Sequence, residues 1–377
     1  MKRGILAAAA ALVLLTVPVS AAEPFDNELY EEQMEESGAS DLMDSLPSET
    51  QELLRELGIE GIGWEEIASV EPEGFFGQLG NIVTQGIAQP AAAAAAMMGV
   101  MVLCTLATGM GISIGNRQTE SVLAIVGTLC ACTVIAPPIV DCISQATALI
   151  QGAGAFLLAG VPVIAGLLAA CGQPISASGW TVFLLAAGNG VSFLSAAVLM
   201  PVMNIFLGFS LVSAVSPEIR LTSLCTVFAK TVRWLLTLTV TIFTTLLSAQ
   251  SMITASADGA AVKATKMLAG FVPVVGGVLG DAMGAVQGCV KLLKSGAGAF
   301  GLLAALCLFL PVLIRCLLWI LCCTLCAAGG DLLGLKEISG VLRASSQVLQ
   351  TLVAVVVSCG VIMIVAGVLL MQGGGSS

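Results

Sequence analysis

Three short patterns in this chain have the residue types and spacing of chemistry, and each falls short of a working site. Gly111-Ile112-Ser113-Ile114-Gly115 fits the GxSxG turn that presents a nucleophilic serine. The chain contains no histidine, so no Ser-His-Asp triad can form, and histidine-based zinc or haem sites are excluded with it. Val278-Leu279-Gly280-Asp281 ends in the Gly-Asp of a membrane-embedded catalytic aspartate but lacks the first glycine of that GxGD pattern. Cys322-Cys323-x-x-Cys326 lies in a run that is apolar on all sides, where cysteine behaves as a small hydrophobe. No P-loop is present, and nothing indicates a cofactor or a nucleic-acid partner. The expectation is a protein that is not an enzyme.

Two other features point to contact rather than catalysis. Gly276, Gly280, Gly284 and Gly288 recur every four residues, which on a helix makes a smooth stripe along which another helix can approach closely. Arg315 sits inside an apolar run four residues after Pro311, a placement that is costly unless it faces water or a partner. Asp281 is its candidate partner. A pore or an assembly contact is the functional reading of both features; helix packing and a snorkelling arginine are the bland ones.

The elements that must carry these residues follow from composition. The chain is 57% hydrophobic and 10% charged, with mean hydropathy +1.02 and a formal charge of −10. Cys142–Pro217 contains no charged residue at all. A bilayer span needs ~20 apolar residues, and lipid forces every backbone hydrogen bond inside the segment. The fold class expected is therefore an all-α polytopic membrane protein, with about six to eight spans.

Residues 1–22 read as a signal peptide: Lys2 and Arg3, an apolar core, and small residues at Ser20-Ala21-Ala22. Residues 23–78 form an acidic region expected outside the cytoplasm, with 17 of the chain's 24 acidic residues against one base, Arg55. Within it Glu23–Ser40 has the composition of disorder. Ser48 and Gln51 fit a capping box, Leu53, Leu54 and Leu57 form an apolar stripe, and Gly58 stops the helix. This region reads either as a docking surface for a partner or as a solvated spacer.

Residues 79–147 hold two spans, Gln89–Ile114 and Ser121–Val140, the second ended or kinked by Pro137 and Pro138. Residues 148–255 and 256–377 then read as two copies of one unit. Leu158–Gly166 echoes the stretch Leu268–Asp281, with Pro162 and Pro273 in the same place 111 residues apart. Met200-Pro201-Val202 matches Leu310-Pro311-Val312. Interruptions are expected at Pro162, Pro201, Pro273 and Pro311, and a last span over Val348–Leu370. Paired helix breaks in a duplicated membrane chain suit a secondary transporter, which is the alternative function. No charge lies near Pro162, the nearest being Asp141 and Glu218, and this favours a channel or scaffold subunit.

The signal sequence, the acidic segment with LPSETQELLRELGI and the block Ser256–Gly288, SADGAAVKATKMLAGFVPVVGGVLGDAMGAVQG, resemble the stage III sporulation protein AE family. Phe271–Gly277 reads FVPVVGG, close to the family's most specific stretch. The resemblance extends over nearly the whole chain. It implies a multi-pass protein of the mother-cell membrane around the forespore, with its acidic N-terminal region extracytoplasmic. The implied role is in a channel, or feeding-tube, complex joining mother cell and forespore after engulfment. The implied partners, besides the lipid bilayer, are the other stage III sporulation A proteins, AF, AG and AH among them, and through them the forespore-side protein Q. No catalytic residues come with the family.

Overall fold

The computed structural model describes residues 42–59, 72–114, 117–170, 174–193, 200–215 and 276–372, with scattered helical positions between 227 and 245. Over 276–295 it describes only the backbone. The described residues form helices and turns, with no strand among them. They are α1 (Ser48–Glu56), α2 (Pro72–Gly86), α3 (Ala88–Ile114), α4 (Arg117–Ala170), α5 (Pro174–Phe193), α6 (Met200–Val215), α7 (Gly276–Leu332) and α8 (Lys336–Gln372). Four stretches among the described residues are long and apolar enough to cross a membrane: Gly77–Ala107, Ala124–Gly166, Gly296–Leu332 and Lys336–Ala366. The expected signal peptide, Pro273 and the C-terminal tail lie outside the described residues.

The prolines act differently from expectation. α4 runs unbroken through Pro137, Pro138 and Pro162, and α7 through Pro311. A proline inside a helix removes one backbone hydrogen bond and costs ~3 kcal/mol, which long flanking stretches of packed helix can outweigh. The boundary drawn at 147/148 thus falls in mid-helix. Pro201 does sit at a break, because α5 and α6 are separate and Pro201 occupies the first turn of α6, where its missing N–H has no partner to lose. The two supposed units also differ in path. A helix end separates Ala170 from Pro174, whereas α7 is continuous through the equivalent region.

α8 is the central helix. Ile338, Leu342, Ser345, Leu349, Leu352, Val356, Cys359 and Met363 are all buried and alternate by four and three, the heptad seam of a helix packed at a shallow angle. α7 and α8 form an antiparallel hairpin. Its turn rests on Gly334, whose φ of 76° allows Leu335 N–H to donate to Gly330 O at 2.9 Å. Asp331 and Arg343 pair at this end of the hairpin, both exposed. α4 lies antiparallel to α7, with Phe156 and Phe300 in ring contact at 6.3 Å. α5 crosses α4 closely at Gly188, where a Cβ would lie 2.7 Å from Leu158 Cγ and 3.0 Å from Gly154 O.

The acidic segment joins this core. Leu42, Met43, Leu46, Leu54 and Ile59 are buried in the same cluster as the membrane-length helices. Gly58, at φ 80°, ends α1 as its position suggests, and Ile59 N–H donates to Leu54 O at 2.9 Å. The capping box does not form. The N-cap is Pro47, so Gln51 stands one residue too far along, and its side-chain amide donates to Leu46 O at 2.8 Å.

Candidate functional site

Arg315 finds its partner on α4. Its Nη1 donates to Gln145 Oε1 at 2.6 Å, and Gln145 Nε2 donates to Asp141 Oδ2 at 2.8 Å. Gln145 and Asp141 are one helical turn apart, so a single amide links a cation on α7 to a carboxylate on α4. Each bond has a charged member, which makes it stronger than a neutral one. Arg315 and Gln145 are half-buried and Asp141 is exposed. Cys142 and Cys316, each next in sequence to one of these charges, are buried neighbours on the facing helices.

Asp281 is not this partner. It lies on α7 itself, 34 residues before Arg315, or roughly 50 Å along the axis at 1.5 Å per residue. Gly276, Gly280, Gly284 and Gly288 all fall on α7, so their four-residue spacing does make one face, but what that face meets is outside the described side chains. Pro162 is exposed on α4, away from the arginine. The sequence signal for the true pairing is a matched pair of segments: Pro137-x-x-x-Asp141-Cys142 and Pro311-x-x-x-Arg315-Cys316. Proline, opposite charge and thiol stand in the same order on both, and α4 and α7 bring the charges and thiols together.

The acidic segment docks beside this site. Pro47 covers Gly152, where a Cβ would come within 2.9 Å of Pro47 Cγ. Leu53 and Leu57 of α1 share a groove with Phe75 and Leu79 of α2 and with Leu310 and Pro311 of α7. An apolar cavity behind Leu42 is lined by Phe156, Gly160, Trp180, Leu184 and Met363. No cluster of metal-ligating side chains exists among the described residues, and Cys322 donates to Pro90 O at 3.2 Å. The arrangement offers polar contact between helices, with no nucleophile–base pair in it.

The profile of the stage III sporulation protein AE family matches residues 64–374. Stage III sporulation protein AE of Bacillus subtilis (strain 168) is 29% identical over 167 residues, which cover 44% of this chain. That match spans 42% of the curated relative's own length. No solved structure matches. With the family profile extending over most of the chain, this all-helical protein belongs to the stage III sporulation protein AE family.

Proposed function

We propose that this chain is a non-enzymatic integral membrane subunit of a channel complex between mother cell and forespore, required for forespore development after engulfment. The observation that carries the reading is the family match over 64–374, which ties the chain to sporulation. Its long apolar helices suit a multi-pass protein of the mother-cell membrane, with the acidic region on the extracytoplasmic side. Its partners are the stage III sporulation proteins AF, AG and AH and, through them, the forespore-side protein Q. The Asp141–Gln145–Arg315 contact serves assembly of the bundle in this reading, since it holds two helices and reaches the surface at Asp141. The unbroken course of α4 through Pro162 supports a channel or scaffold subunit over a stand-alone transporter, whose site would lie at paired helix breaks.

Deleting the chain from its native host tests the role. Sporulation is expected to halt after engulfment is complete, with late forespore gene expression lost and restored by the intact chain. Normal spores from the deletion strain, or a block before engulfment, would contradict it.

A further inference from the structure

α4 and α7 contain 54 and 57 residues, so at 1.5 Å rise each is roughly 80 Å long. The hydrocarbon of a bilayer is ~30 Å thick. Fitting either helix wholly inside would need a tilt of about 70°, whereas spans tilt by at most ~40°. Their polar contact divides the antiparallel pair into two layers. One holds α3, the start of α4, the end of α7 and the start of α8. The other holds the rest of α4, α5, residues 296–310 of α7 and the end of α8.

Each layer is free of charge for about one bilayer thickness. In the first, no charged residue lies between Glu120 and Asp141 or between Arg315 and Asp331, roughly 32 and 24 Å along the two helices. In the second, none lies between Asp141 and Glu218 or between Lys294 and Arg315. Large apolar side chains are exposed on both, including Val126 and Leu321 on the first and Val182 and Leu185 on the second. At the junction stand Asp141 and Arg315, and from it the docked segment 42–59 runs along the second layer, with Leu53 and Leu57 of α1 beside Pro311, Pro47 on Gly152 and Leu42 against Gly160. That segment buries Leu42, Leu46 and Leu54 while exposing Glu49, Glu52, Arg55 and Glu56. Each such charge costs ~2.5–3.5 kcal/mol at the bilayer centre on insertion scales, so four together require water.

We propose that the membrane surface crosses this protein at mid-length, along a wet belt of Asp141, Gln145, Arg315 and the charged face of α1, and that only one of the two apolar layers lies in hydrocarbon. The arginine then needs no mid-membrane partner, because it sits where a guanidinium can reach water. The other layer stands beyond the membrane surface.

Depth-dependent quenching tests this. Val126→Trp, Ser144→Trp and Val182→Trp are made singly in a chain whose four native tryptophans are phenylalanine, and each is reconstituted in bilayers with acyl chains brominated near their midpoint. All three sites are exposed, one in each layer and one in the belt. Strong quenching is expected at either Val126→Trp or Val182→Trp, with several-fold weaker quenching at the other and at Ser144→Trp. Strongest quenching at Ser144→Trp, or equally strong quenching in both layers, would overturn the proposal. If the phenylalanine background does not fold, a chain that carries only Trp64→Phe and Trp234→Phe reads the same division when Trp319→Phe or Trp180→Phe is added. One of the two substitutions should then remove most of the quenching, and equal losses would overturn the proposal.

Discussion

Breaking the Gln145–Arg315 hydrogen bond should cost more than removing an ordinary surface contact. The bond is short, at 2.6 Å, one partner is charged, and both are half-buried. Hydrogen bonds to charged groups contribute about 1.5–3 kcal/mol in soluble proteins. Interhelical polar contacts in membrane proteins average ~0.6 and reach ~1.7 kcal/mol, because the unfolded chain in lipid also finds partners. The geometry places this pair near the upper end, so a double-mutant cycle on Gln145→Leu and Arg315→Leu should give a coupling of about 1–1.7 kcal/mol. Unfolding of the purified chain in mixed micelles, followed by circular dichroism, measures it. Asp141→Asn should cost well under about 1 kcal/mol, since Asp141 is exposed and screened. A Gln145–Arg315 coupling below about 0.5 kcal/mol would lie within the error of additivity and refute the claim that this contact joins α4 to α7.

Four further outcomes are expected. Gly188→Val should destabilise the α4–α5 crossing by about 1–3 kcal/mol, and Leu158→Ala should recover part of that loss in the same unfolding assay. Ser345→Ala should leave stability unchanged or raise it, because the Ser345 hydroxyl is buried in the α8 seam with no hydrogen-bond partner among the described residues; a loss above ~1 kcal/mol would show that a partner exists. Gly58→Val forces a β-branched residue into left-handed backbone and should make residues 42–59 protease-sensitive, while Gly77→Ala, on an open helix face, should not. Gly280→Leu or Gly284→Leu should prevent assembly while Leu279→Ile is tolerated, as scored by co-purification; equal tolerance would leave the glycine stripe without a role.

Legibility followed the range of the physics. Local signals read well. Gly58 stops α1, and the start of α3 at Ala88 is one residue from the expected Gln89, because backbone conformation and apolar run length are properties of adjacent residues. Proline signals read poorly. Interruptions are expected at Pro162 and Pro311, and an end or a kink at Pro137 and Pro138, yet α4 and α7 continue past all four. Arg315 stood out as a charge in an apolar run, but its partner did not, because Gln145 is neutral and 170 residues away. The repeated Pro-x-x-x-charge-Cys order was the available clue. So was the four–three alternation of apolar residues in α8, hidden because Ser345 and Cys359 occupy seam positions that a search for leucine and valine passes over. The docking of segment 42–59 onto the bundle had no signal beyond the apolar stripe of α1, since an acidic composition points to solvent.

The central claim is that this chain works inside a multi-protein membrane complex of sporulating cells. Its most direct test is to purify the full-length tagged chain from membranes of cells harvested after engulfment and to identify what co-purifies. The account predicts recovery of the stage III sporulation proteins AF, AG and AH with the chain, and their loss from cells that are not sporulating. Recovery of the chain alone, folded and abundant in the same membranes, would contradict it.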